Sequence, residues 1–293
     1  MRQSTDIRIG ISMESKTPFL RRFFRTIPIP GRYLDAVLRI AGSSRRMISR
    51  PVLVPDRWNS FYVLIDNLED PIEKHIYYQG YFEWKETHFV KKCLKHGDIV
   101  FDVGANIGWY TLLAATSVKK TGKVLAFEPV PESRRRLIEN CSLNGCDNVK
   151  VFDFALGRAR GEAAIYSGSR KDLGGASLFP ADSEKLVRHC IKVVPLDEII
   201  EENKIRQAKL CKIDIEGSEI DALDGMTDAL KRRVFEFILI EINAVALGRA
   251  GYEPADLISR VKNAGYRISN IRTPQIDVAT TGVAPFGNYI CKR

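Results

Sequence analysis

Val100-Phe101-Asp102-Val103-Gly104-Ala105-Asn106-Ile107-Gly108 is the stretch that decides how this chain folds. An apolar strand ends in an acid, and a glycine-bearing turn then opens a helix. Gly104 and Gly108 let the backbone turn tightly and approach a ligand. Asn106 stands where many such loops carry another glycine, and asparagine is among the few side chains that tolerate the left-handed region. Alone, a Gly-x-x-x-Gly loop suits an ordinary strand-to-helix turn equally well. Its surroundings are more specific.

Outward from this stretch the punctuation is regular. Residues 98–103 predict a strand, 109–118 a helix and 123–127 a second strand. The next helix has Pro131 and Glu132 in its first turn, both favoured there, and runs toward Asn144-Gly145. Further strands are expected at 149–154, 191–194, 210–214, 235–242 and 266–271, with a closing strand at 288–291. Strands alternating with helices predict parallel βαβ units in a doubly wound sheet. Residues 167–183 break the rhythm with a polar, Gly/Ser-rich run, either an insertion or a lid that brings Arg170 and Lys171 to a substrate.

The chain has 293 residues and a net charge of +9. Residues 1–60 hold twelve Lys/Arg against four acids, so this segment carries +8 of that charge. The organisation expected is a basic N-terminal extension (1–60), a helical lead-in (61–97) and a main domain (98–293). Prolines break up residues 1–60, which show no clear strand alternation, although 33–40 suit a short amphipathic helix. Such an arm can approach an anionic membrane or nucleic acid, or remain a solvated segment. Six cysteines without a CxxC pair and four scattered histidines suggest neither a zinc site nor a disulfide framework. His189, in a polar segment, reads as surface. No apolar run approaches the ~18–20 residues of a membrane span. Arginines between 21 and 50 interrupt every candidate signal-peptide core. A cytoplasmic location is expected, with peripheral membrane contact through the arm as an option.

Glu128 ends the second strand, 24 residues beyond Gly104. An acid at that place accepts hydrogen bonds from the vicinal hydroxyls of a ribose, so loop and acid together predict a nucleoside site. Dinucleotides would set a pyrophosphate against the glycine turn, where Asp102 repels it, and would call for Gly-x-Gly-x-x-Gly. S-adenosylmethionine has no phosphate and carries cationic amino and sulfonium groups. Asp102 favours it over NAD. A third block, Lys212-Ile213-Asp214-Ile215-Glu216-Gly217-Ser218-Glu219, puts Asp214 at another strand end facing the same crevice. Glu216 and Glu219 suit either chemistry or the start of a helix.

These three blocks, with the later strand Ile238-Leu239-Ile240-Glu241, resemble the FkbM family of S-adenosylmethionine-dependent methyltransferases over roughly residues 75–270. The resemblance implies a class I methyltransferase (Rossmann-like) doubly wound sheet, mostly parallel with an antiparallel last strand. It also implies O-methylation of a hydroxyl on a saccharide or other natural product. Asp102, Gly104, Ala105, Asn106 and Gly108 would line the methionine moiety, and Glu128 with Pro129 the ribose. Residues 153–156, with Ala155, would meet adenine, although Phe154 replaces the usual polar residue there. Asp214 is the first candidate for catalytic base or hydroxyl orienter, followed by Glu216 and Glu241. No metal set is assigned, since sequence does not show whether those three carboxylates converge. Competing readings are an RNA or DNA methyltransferase using the basic arm, and a non-catalytic S-adenosylmethionine-binding protein. Against nucleic acid, no Asn-Pro-Pro-Tyr-like block stands at the fourth strand, and aromatics near the arm are not interleaved for stacking.

Overall fold

The computed structural model describes residues 51–168, 176–179, 186–274 and 286–293. The amphipathic stretch 33–40, most of the basic arm, and Arg170 and Lys171 lie outside them. The chain forms two compact units, Met1–Phe82 and Glu83–Arg293. The second unit therefore starts within the stretch read as a lead-in.

In the first unit, β1 (Val52–Pro55) pairs antiparallel with β2 (Tyr62–Ile65). This strand lies in a stretch whose prolines argued against one. Here Pro51 and Pro55 flank or end a short strand that, among the described residues, has a partner on one edge only, where the missing N–H costs little. Buried Asp56 holds the connecting turn, accepting from the amides of Trp58 and Phe61 at 3.2 and 3.0 Å. Helix α1 (Pro71–Gln79) follows, capped by Asp70 and ended by left-handed Gly80.

In the second unit the chain runs α2 (Trp84–Cys93), β3 (Ile99–Val103), α3 (Trp109–Val118), β4 (Lys123–Phe127), α4 (Pro131–Leu143) and β5 (Val149–Phe152). After an inserted region come α5 (Leu196–Glu202), β9 (Ala208–Ile213), α6 (Glu219–Asp224), α7 (Thr227–Lys231) and β10 (Phe235–Asn243). The unit ends with α8 (Ala244–Arg249), α9 (Pro254–Asn263), β11 (Arg267–Asn270) and β12 (Phe286–Lys292). The seven-stranded sheet has the order β11-β12-β10-β9-β3-β4-β5. Pairs within β10-β9-β3-β4-β5 are parallel, while β12 runs antiparallel to both β10 and β11. This is the α/β, mostly parallel sheet with an antiparallel last strand that the sequence predicts.

Its core explains the unbroken apolar runs. Phe101, Phe127, Cys211, Ile213, Phe235, Ile238 and Ile240 are buried in one cluster along the central strands, as parallel strands covered on both faces require. Helix α3 is buried along most of its length, packing on β3 and β4 and against α2.

The inserted region differs from expectation. Residues 191–194 do not join the main sheet. They end β8 (Val187–Val194), which pairs antiparallel with β7 (Gly161–Ser167) and parallel with β6 (Ala155–Leu156). Only Ile191 and Val194 of β8 are buried, and Ile191 packs with Ile165 and Val130 in a small satellite cluster. An antiparallel strand covered on one side alternates, and the alternation hid β7 and the first half of β8 in a polar segment.

Candidate active site

The crevice follows from the strand order. The chain winds from β3 through β4 to β5 on one side and through β9 to β10 on the other. Such a reversal leaves an opening at the carboxyl ends of the strands. Asp102 lies near the end of β3, Glu128 just after β4, Asp214 just after β9, and Glu241 late in β10.

The loop after β3 needs left-handed backbone at Gly104 (φ +81°), Asn106 (φ +50°) and Gly108 (φ +98°). At Gly104 a Cβ would lie 1.9 Å from the Asp214 carbonyl oxygen. The ends of β3 and β9 are pressed together there, and only glycine fits. The Gly104 and Ala105 amides both donate to the Phe127 carbonyl at 3.1 Å, tying the loop to β4.

Glu128 is more occupied than the sequence suggests. Its Oε2 accepts from the Asn106 amide and its Oε1 from the Val130 amide, each at 2.8 Å. The carboxylate braces the glycine loop, and of its roughly four acceptor positions about two remain for a diol. Burial pushes its pKa up to about 7, against the pull of both amides. Pro129 follows, its carbonyl accepting from Arg134 Nη1 at 2.8 Å. Asp102 is 1% exposed. Its Oδ2 accepts from Thr111 Oγ1 at 2.6 Å, while Oδ1 is buried with no partner among the described residues. Burial raises its pKa, with Lys212 and Thr111 opposing. The side-chain oxygen of Asn106 is likewise buried and unpartnered. Phe154 packs its ring against Phe127 and Phe152, at 5.9 and 5.2 Å between centroids. Ala155 packs against the cluster of Val130, Ile165 and Ile191.

The acidic side of the crevice gathers what the sequence leaves dispersed. One carboxylate oxygen each from Asp214, Glu216 and Glu241 lies within 4.8 Å of the others. Carboxylates this close repel by about 3 kcal/mol or more per pair at an effective dielectric near 20. Glu241 is pushed up to about 10 by its burial and by Asp214, Glu216 and Glu83. Glu216 is left-handed (φ +51°), as is Gly217 after it. Glu219 is spent on structure: it turns back to accept from the Ile215 amide at 3.0 Å and the Gly217 amide at 3.0 and 3.2 Å.

Several participants carry no motif. Lys212 is buried in β9, its Nζ 3.1 Å from Asp214 Oδ2 and 4.8 Å from the centre of the Tyr110 ring. Burial works against its charge, but Asp214, Asp102 and Glu83 outweigh it and hold the ammonium above its ordinary value. A lysine inside an apolar strand was the signal available for it. Glu83 accepts from the Tyr110 hydroxyl at 2.8 Å and from Asn288 Nδ2 at 3.1 Å. Burial, Asp214 and Glu86 raise its pKa to about 7. Ser177, in the Gly/Ser-rich stretch, donates its hydroxyl to the Glu216 carbonyl at 2.7 Å, and its backbone pairs with Tyr166. His189 instead meets Ser167 Oγ at 3.1 Å, on β8 and β7.

Comparison with known proteins shows the family. The hexuronic acid methyltransferase AglP of Haloferax volcanii is 29% identical over 167 residues, 57% of this chain and 62% of that one. The 31-O-demethyl-FK506 methyltransferase FkbM of Streptomyces tacrolimicus is 31% identical over 188 residues, covering 53% of this chain and 70% of that one. The chain thus spans less than two thirds of the first of these relatives. The crystal structure of Methyltransferase FkbM from Methylobacillus flagellatus aligns with 73% of this chain and 48% of its own, at 17% identity and a TM-score of 0.46. Residues 102–268, from the acid of β3 to the middle of β11 and more than half of the chain, match the Methyltransferase FkbM domain. With its strand-end acids set around a left-handed glycine loop, the chain belongs to the FkbM methyltransferase family.

Proposed function

We propose that this protein is an S-adenosylmethionine-dependent O-methyltransferase whose acceptor is a hydroxyl of a saccharide or related natural product. The observation that carries this is the set of unanswered acceptors in the crevice. Asp102 Oδ1 and Asn106 Oδ1 are buried without partners beside the glycine loop, and buried polar atoms in that state call for a ligand. A ligand that donates hydrogen bonds and bears positive charge fits them, whereas a pyrophosphate does not. The names of the hexuronic acid and FK506 relatives support an oxygen-bearing natural-product acceptor.

When bound, S-adenosylmethionine supplies a methyl group activated on a positively charged sulfur. The chain's residues do the rest. Asp102 accepts from the cationic amino group, and the free acceptor positions of Glu128 take the ribose hydroxyls. An alcohol is a poor nucleophile at neutral pH, so its oxygen must be held in line and its proton accepted. Asp214 is the residue for that proton. It stands at the mouth of the crevice, half-buried. The Lys212 ammonium lies 3.1 Å from its Oδ2 and fixes the orientation of the carboxylate.

Calorimetric titration with S-adenosylmethionine, S-adenosylhomocysteine and NAD⁺ tests the reading, with Glu128→Ala as control. Binding of both sulfur nucleosides but not NAD⁺, weakened in the variant, is the expected result. Absence of binding by either sulfur nucleoside overturns it.

A further inference from the structure

We infer that Asp214, Glu216 and Glu241 form a site for a hard divalent cation of the Mg²⁺ or Mn²⁺ class, placed to hold the acceptor's oxygen. Its purpose rests on the O-methylation reading; its geometry does not. The three carboxylate oxygens lie within 4.8 Å of one another. Mg²⁺ at about 2.0–2.1 Å from each ligand spans roughly 4.0–4.2 Å between opposite oxygens, so side-chain shifts of about half an ångström seat one ion among all three. An all-oxygen set without sulfur or imidazole selects a hard ion over zinc or copper.

Acidic groups also cluster on protein surfaces without any ion, and Glu241 separates this cluster from those. It is 7% exposed, and its Oε2 is fully buried with no hydrogen-bond partner among the described residues. A carboxylate oxygen so placed has lost its water and gained nothing in return. Lys212 answers Asp214 through Oδ2, 3.1 Å away. A cation between the strand ends of β9 and β10 supplies the missing partner. Three protein ligands leave part of a six-coordinate shell open. Two adjacent oxygens, from a vicinal diol or from a hydroxyl beside a carboxylate, fill neighbouring positions there. An ion so bound makes the hydroxyl more acidic.

The test uses the full chain saturated with S-adenosylhomocysteine, with Mn²⁺ as probe and free Mn²⁺ read by electron paramagnetic resonance. One saturable Mn²⁺ per chain, displaced by Mg²⁺, is expected. Its Kd rises at least about tenfold in both Glu241→Gln and Asp214→Asn. Both variants keep S-adenosylhomocysteine affinity within about threefold, less than 1 kcal/mol. The second variant alters a half-buried residue and keeps the test alive if the first fails to fold. Absence of saturable Mn²⁺ binding, or equal binding by both variants, overturns the site and leaves the methyltransferase reading standing. Failure of the wild-type chain to bind S-adenosylhomocysteine sinks that reading instead, and titrating the ligand-free chain with Mn²⁺ then judges the site alone.

Discussion

At Gly104 a methyl group would have to occupy space held by the Asp214 carbonyl, 1.9 Å away, on backbone already at φ +81°. Neither the strand-end carbonyl nor the left-handed turn can yield without moving β3 against β9. Gly104→Ala is therefore expected to cost about 2 kcal/mol or more. Urea denaturation checks this, and a loss under about 0.5 kcal/mol, the range of ordinary surface changes, contradicts it. Asp214 itself offers a different contrast. Asp214→Asn keeps the shape and loses the charge, so turnover should fall about 10²–10⁴-fold, the usual worth of a general base. Affinity for S-adenosylmethionine should barely change, because Asp102 and Glu128 are intact. Undiminished turnover removes Asp214 from the role. These residues were legible because glycine and strand-end acids have few other reasons to stand where they do. Lys212 and Glu83 were not, since a lysine in a strand and a glutamate before a helix acquire meaning only from their neighbours.

Among the elements, β7 and β8 matter more than their faint sequence pattern suggests. They form a separate sheet, and the bridge from Tyr166 to Ser177 accompanies a hydrogen bond from the Ser177 hydroxyl to the Glu216 carbonyl. If Ser177 holds the Glu216 loop in place for the acceptor, Ser177→Ala should raise the acceptor KM about 3–10-fold, the loss of about one hydrogen bond. It should leave kcat and S-adenosylmethionine affinity unchanged, because Ser177 reaches the loop and not the glycine turn. Steady-state kinetics against each substrate separates these outcomes; a change in cofactor affinity alone would contradict the assignment. The central βαβ units were readable because strands buried on both faces are unbroken apolar runs and their helices have clear starts. A half-covered antiparallel sheet made of alternating residues leaves a much weaker trace.

For the whole molecule the outstanding quantity is buried negative charge. Glu83, Glu128 and Glu219 are each raised to about 7, mainly by burial. For each, the folded state holds a proton that the unfolded chain gives up near pH 4.5. Between those values the folded state binds more protons, so stability from these groups falls as pH rises and levels off above about 7 to 8. His75 works in the opposite sense, since burial lowers its pKa to about 4 and its contribution rises with pH up to about 6.5. The clean window is therefore pH 6.5 to 8, where the ligand-free protein should melt at progressively lower temperature. Glu128→Gln should flatten that slope. A melting temperature that climbs across the window would refute this account. The sequence by itself determined the central βαβ units, the glycine loop and the acids at the strand ends, because periodicity and turn chemistry are local. Only the tertiary structure decided that Asp214, Glu216 and Glu241 meet within 4.8 Å. It also decided that Glu128 braces the loop, and that Lys212 stands buried against Asp214. Sheet order brings β9 and β10 beside β3, and proximity between strand ends far apart in sequence has no local signal.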